Sequence, residues 1–216
     1  MNTTIRIAFA ALAISSAVAG CDDPSKGKSK ATTGEAVNTT SQQQTAAAQT
    51  VKYAFDQSAS KVTWVGSKVT GKHEGGFSAF TGTVDVADGA PEKSKVNVDI
   101  DATSLTSDTE KLTGHLKSGD FFDVAKNPKA TFASTEIKKG GEKGATHTVT
   151  GNLTIKGITK SVTFPATVTV TGDAATVDAE FAINRRDFSL NYPGMPNDLI
   201  RDDVVIKLAI RAKKAS

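Results

Sequence analysis

Apolar and polar residues alternate with a period of two along most of the chain beyond residue 50, while helical periodicity is scarce. Val62 and Trp64 share a face, and Val96, Val98 and Ile100 alternate with Asn97, Asp99 and Asp101. Val149, Leu153 and Ile155 keep one phase across Gly151, where the missing side chain predicts a bend. The pattern returns in Val162, Phe164, Val168 and Val170, then in Val177, Ala179, Phe181 and Ile183. It ends with Val204, Ile206, Leu208 and Ile210, so the last strand closes the domain. Strands with one apolar face each predict an antiparallel all-β fold of about eight strands, in a chain whose length suits a single β-barrel domain. Gly140-Gly141 and Gly172-Asp173 mark turns. One helix is predicted, Asp108 to Lys117, opened by Ser107 or Asp108 as its cap and stopped near Gly119.

The first fifty residues follow other rules. Residues 1–20 carry Arg6 and then an apolar run from Ile7 to Ala19, too short to span a bilayer, and read as a secretory leader. Val18-Ala19-Gly20-Cys21 resembles a lipobox, in which small residues admit the lipoprotein peptidase and the thiol takes a diacylglycerol. The rival is Ala17-Val18-Ala19, an A-x-A site whose cleavage would leave a soluble protein with a stray thiol. Cys21 is the only cysteine, so no disulfide partner competes for it. Acyl chains contributing about 0.8 kcal/mol per buried CH₂ would hold the protein on a bacterial membrane, on the periplasmic side of the cell envelope. Asp22 and Asp23 after the cysteine resemble an inner-membrane retention signal. Residues 21–50 are mostly Lys, Ser, Thr, Gln, Ala and Gly, and are expected to form a disordered linker holding the domain on the order of 30 Å from the bilayer. The barrel domain then occupies residues 51–216.

The charge balance, 26 basic against 23 acidic residues, is too even and too scattered for a nucleic-acid surface. Ten phenylalanines against two tyrosines and one tryptophan suit an apolar interior. An eight-stranded barrel either packs that interior full or holds one small ligand. Candidate cavity-lining residues are Trp64, Phe77, Phe80, Phe121, Phe122, Phe132, Phe181 and Phe188; each would serve equally as ordinary core. Phe121 and Phe122, if extended, point to opposite faces, one to the cavity and one beneath the helix. The loop from Asn191 to Asp203 contains Leu199 and Ile200 and is either a lid over the barrel mouth or a hairpin tucked on its wall. No metal site is expected from His73, His115 and His147, which lie far apart without H-E-x-x-H spacing. No catalytic residue is assigned, since nucleophile elbow, P-loop and Rossmann fingerprint are all missing, and no cofactor is expected.

Three segments carry a resemblance. His115-Leu116 with Asp120-Phe121-Phe122-Asp123, Pro128, Phe132 and Ser134 is similar to the signature of YceI-like proteins. Gly151 to Lys160 resembles that family's second recurring stretch, and Asn184-Arg185-Arg186-Asp187-Phe188 its third. Ser189 departs from the pattern, which has glycine there, so the backbone after Phe188 is expected to turn differently. The resemblance implies an extended lipocalin-like barrel of the bacterial envelope that binds a polyisoprenoid or related amphiphile by sequestration, without chemistry. Two other readings stand beside it: a stress-related interaction or scaffold module with a filled barrel, and an enzyme acting on a lipid head through His115 with Asp120. The sequence leaves the oligomeric state and the identity of the lipid open.

Overall fold

The computed structural model describes residues 23–38 and 49–215; the leader and Cys21 lie outside them. The described strands run in chain order as β1 (Ser29–Lys30), β2 (Thr32–Glu35), β3 (Thr50–Asp56), β4 (Lys61–Lys68), β5 (Gly71–Phe77), β6 (Phe80–Ala87), β7 (Lys95–Asp101) and β8 (Leu105–Ser107). After helix α1 (Glu110–Lys117) come β9 (Lys129–Lys139), β10 (His147–Ile155), β11 (Ile158–Val170), β12 (Ala174–Asn184), β13 (Gly194–Met195), β14 (Asp198–Leu199) and β15 (Asp203–Lys214). Three pairs of these, β3 with β4, β5 with β6 and β7 with β8, are single staves broken by a kink. Asp56 and Asp101 make two of the kinks, each carboxylate accepting a 2.8 Å hydrogen bond from the N–H two residues on. The result is an antiparallel barrel of eight staves, closed by β12 against β15 from Ala174↔Lys213 to Asn184↔Asp203.

Connections follow local chemistry. Lys156 and Gly157, at φ 51° and 73°, form the two-residue turn between β10 and β11, a geometry that matches strand twist. The predicted turns after Gly140 and at Gly172-Asp173 are present. At one end of the barrel the Pro91–Lys93 turn and the Tyr53 hydroxyl, which donates to the Thr171 carbonyl at 2.9 Å, seal the interior. The other end carries α1, the Arg185–Phe188 turn and the loop to β15.

Two expectations change. Helix α1 is capped by Thr109, whose hydroxyl accepts from the Leu112 N–H, because Asp108 is drawn off to the His73 ring at 3.0 Å. Ser189, where the resembled pattern has glycine, takes the left-handed conformation, φ 53°, that a glycine adopts freely. The stretch expected as linker is structured from residue 23 to 38: β1 pairs in parallel with β12, and β2 pairs antiparallel with β11. Composition misled because an added strand is held by backbone hydrogen bonds to an open edge and needs few apolar side chains.

Candidate functional site

Inward-facing side chains from all eight staves enclose an apolar cavity of about 310 Å³, within the range of small-molecule sites. Cross-strand pairs of an aromatic with a glycine keep it open. Trp64 stands in register with Gly75 and Phe55 with Gly82. A Cβ at Gly75 would lie 2.6 Å from the Trp64 ring, one at Gly82 2.2 Å from Phe55, and one at Gly151 2.3 Å from Phe132. Each ring therefore lies back over bare backbone of the neighbouring strand and leaves the lumen free. The Gly151 bend is a register shift between Thr150 and Gly151.

Trp64, Phe77, Phe121, Phe122, Phe132, Phe181 and Phe188 all reach the cavity wall. Phe80 does not: beside the Ser78–Ala79 kink, it packs with Tyr53, Phe55 and Val84 in the cluster at the sealed end. Phe121 and Phe122 both reach the wall because their segment is a series of turns and not extended. Phe121 is held edge-on by His115, with centroids 5.1 Å apart, and packs at a tilt on Tyr192. Phe122 meets Phe77 edge-on. Among wall residues not singled out from sequence are Phe55, Phe164, Leu112 and Leu116. Their signals were the Tyr53-x-Phe55 alternation and the i, i+4 leucines of the helix.

Of the polar wall residues, Ser67, Lys68, His73 and Arg185 lie toward the helix end and Ser94 beside Pro91 at the sealed end. The Ser67 hydroxyl and the Trp64 indole N–H are buried with no hydrogen-bond partner among the described residues, and the surface that the cavity presents is almost wholly apolar. Arg185 is committed elsewhere. Only 3 % exposed, it donates to the carbonyls of Leu190, Ile200 and Arg201 and pairs with Asp202 at 3.0 Å. Burial pulls its guanidinium below the ordinary value, and Asp202 opposes that pull.

The loop from Asn191 to Asp203 is a small hairpin, β13 with β14, laid along the turn between β4 and β5. The Val69 N–H donates to the Leu199 carbonyl at 3.1 Å, and Asp198 accepts from the Thr70 N–H and hydroxyl and pairs with Lys68. Ile200 turns onto the cavity wall, whereas Leu199 stays half exposed. The histidines are dispersed: His73 bonds Asp108, His115 bonds Asp120 at 2.9 Å, and His147 bonds Thr146. His115 ties the helix end to the turn that follows it.

Known proteins share this architecture. The chain is 37% identical to a UPF0312 protein of Pseudomonas putida (strain W619) over 139 residues, 62% of this chain and 71% of that protein. It is 40% identical over 122 residues to a UPF0312 protein of Enterobacter sp. (strain 638), covering 54% of this chain and 62% of that one. Among solved structures it resembles BcnA of Burkholderia cenocepacia, with 29% identity and a TM-score of 0.62 over 73% of this chain and 98% of that one. It also resembles a polyisoprenoid binding domain from Saccharophagus degradans implicated in plant cell wall breakdown, with 17% identity and a TM-score of 0.59 over 76% and 99% of the two chains. The profile of the YceI-like domain matches residues 53–212, which takes in all eight staves of the barrel, and the chain therefore belongs to the YceI-like family.

Proposed function

We propose that this protein is a membrane-tethered envelope lipoprotein that sequesters or carries a polyisoprenoid or similar amphiphile inside its barrel. The observation that carries the reading is the open apolar cavity, walled by every stave and kept clear by aromatic rings folded over glycines. That cavity weighs against the filled-barrel scaffold. Each isoprene unit brings about five carbons, worth roughly 3 to 4 kcal/mol when buried and before ordering costs. A few units then suffice for micromolar binding. We read the polar head as lying toward the helix end, where Ser67, Lys68 and His73 belong to the wall, with the tail running to Pro91. Binding of a polyisoprenoid by a relative of the same fold supports the choice of tail. In this reading the role of the site is containment.

Native and denaturing mass spectrometry of the chain purified from its membrane, with solvent extraction of what comes with it, tests the proposal. A stoichiometric isoprenoid lipid is expected. A clean protein mass that also refuses added polyprenols would overturn it.

A further inference from the structure

Staves β11 and β12 pair only from Thr167↔Asp178 to Val170↔Ala175. Toward the helix end they part, β11 continuing along β10 to Ile158 and β12 along β15 to Asn184. Residues 29–35 fill that gap. Ser29 and Lys30 lie against Phe181 and Ala182 of β12, and Thr32 to Glu35 lie against Thr163 to Lys160 of β11. The insert thus pairs first with β12 and then with β11, bridging the two staves where their own pairing has stopped. Behind it the Phe164 and Phe181 rings stack face to face, centroids 4.2 Å apart.

The insert is held differently from its neighbours. The staves beside it present Val162, Phe164, Phe181 and Ile183 to the interior, whereas the insert presents Ala31 to the same cluster. Its side-chain ties are polar: ion pairs of Lys28 with Glu180, Lys30 with Asp203 and Glu35 with Lys160, and a 2.7 Å hydrogen bond that the Thr33 hydroxyl donates to Asp187. Exposed pairs contribute about 0–1 kcal/mol each. Both barrel ends are harder to open, one sealed by Tyr53 and the Pro91–Lys93 turn, the other braced by Arg185 and Asp198.

We infer that residues 29–35 are a detachable ninth stave, a side gate through which an apolar chain passes between β11 and β12 into the cavity. This rests on the lipid-binding reading of the cavity. The gate lies outside residues 53–212, the part matched by the family profile. Unzipping it breaks strand pairing and exposed ion pairs but uncovers little apolar surface of its own, and the stacked phenylalanines then need only slide apart.

The test locks the seam. In a Cys21→Ser background of the full chain, Thr32→Cys with Thr163→Cys ties the insert to β11 and Lys30→Cys with Ala182→Cys ties it to β12, each pair standing in register across its two strands. Geranylgeraniol serves as the probe, and its uptake is followed by quenching of Trp64, the single tryptophan, which stands on the cavity wall. The oxidised protein should load about ten-fold more slowly than the reduced one, with the rate restored by reductant. Deleting residues 29–35 should act in the opposite direction, speeding uptake and release. Equal rates with the seam locked and unlocked would overturn the gate alone. No quenching in any form, the unsubstituted chain included, would overturn the cavity reading and the gate with it.

Discussion

Ser189 and Gly75 show how single positions shape this barrel. Ser189 holds φ at 53° at the end of the Arg185–Phe188 turn, a conformation that costs an L-residue roughly 1–2 kcal/mol. Glycine removes that strain but loses more freedom on folding, so Ser189→Gly should stabilise by about 0.5 kcal/mol net. A thermal melt checks it; a lowered midpoint would mean that the serine side chain contributes something the backbone argument omits. Gly75 works the other way. A methyl there would stand 2.0 Å from the Thr106 carbonyl oxygen as well as against Trp64, and the backbone atom cannot yield cheaply. Gly75→Ala should destabilise by about 1–3 kcal/mol, with a shifted Trp64 emission as the ring leaves its place on the wall. Denaturant unfolding followed at Trp64 reads both effects. The glycine was visible in the sequence, but its purpose was not, since nothing local says that position 75 faces position 64.

Among the elements, the β13–β14 hairpin and the turn between β4 and β5 form one unit through Asp198. Lys68 holds the Asp198 carboxyl below the ordinary carboxylate range, burial opposes this, and the hydroxyl and N–H of Thr70 add to the lowering. A carboxyl depressed on folding contributes stability above its ordinary value of about 4, and that contribution is lost as pH falls through the folded value. The clamp should therefore be intact at neutral pH and release in acid. Hydrogen exchange at the Val69 and Thr70 amides measures this directly: protection should fall on acidification, and Asp198→Asn should reproduce the loss at pH 7. Protection unchanged in the Asn variant would assign the clamp to the Val69–Leu199 backbone bond alone. The hairpin was legible only in part. Pro193, Gly194 and Pro196 announced a turn, but which of the adjacent Leu199 and Ile200 would be buried depended on the neighbouring β4–β5 turn.

For the molecule as a whole, the ordered residues 23–38 alter how an anchored barrel would sit. If Cys21 is acylated, only seven residues lie between it and Ser29, a reach of at most roughly 28 Å over the eight steps. The seam between β11 and β12 would then be kept beside the leaflet from which a lipid tail comes. Replacing Cys21 with serine should shift the protein from the membrane to the soluble fraction of the envelope, as read by fractionation and immunoblot. An unchanged membrane fraction would retire the lipid anchor.

The alternating phases from Val62 to Ile210, with turns at Gly140 and Gly172, determined an antiparallel all-β fold with one apolar face to each strand, and the family resemblance added its closure into a barrel. The reason is that a period of two sorts side chains to two faces whatever lies around the strand. The motif around His115 to Phe132 likewise carried the family. Whether the aromatic residues would fill the lumen or line it was decided by the tertiary structure alone, through glycines brought opposite Trp64, Phe55 and Phe132 from other strands. The role of Ser29–Glu35 was decided there too: its polar side chains predict no strand, and only the open edges of β11 and β12, parted by the shape of the barrel, supply the hydrogen bonds that make it one.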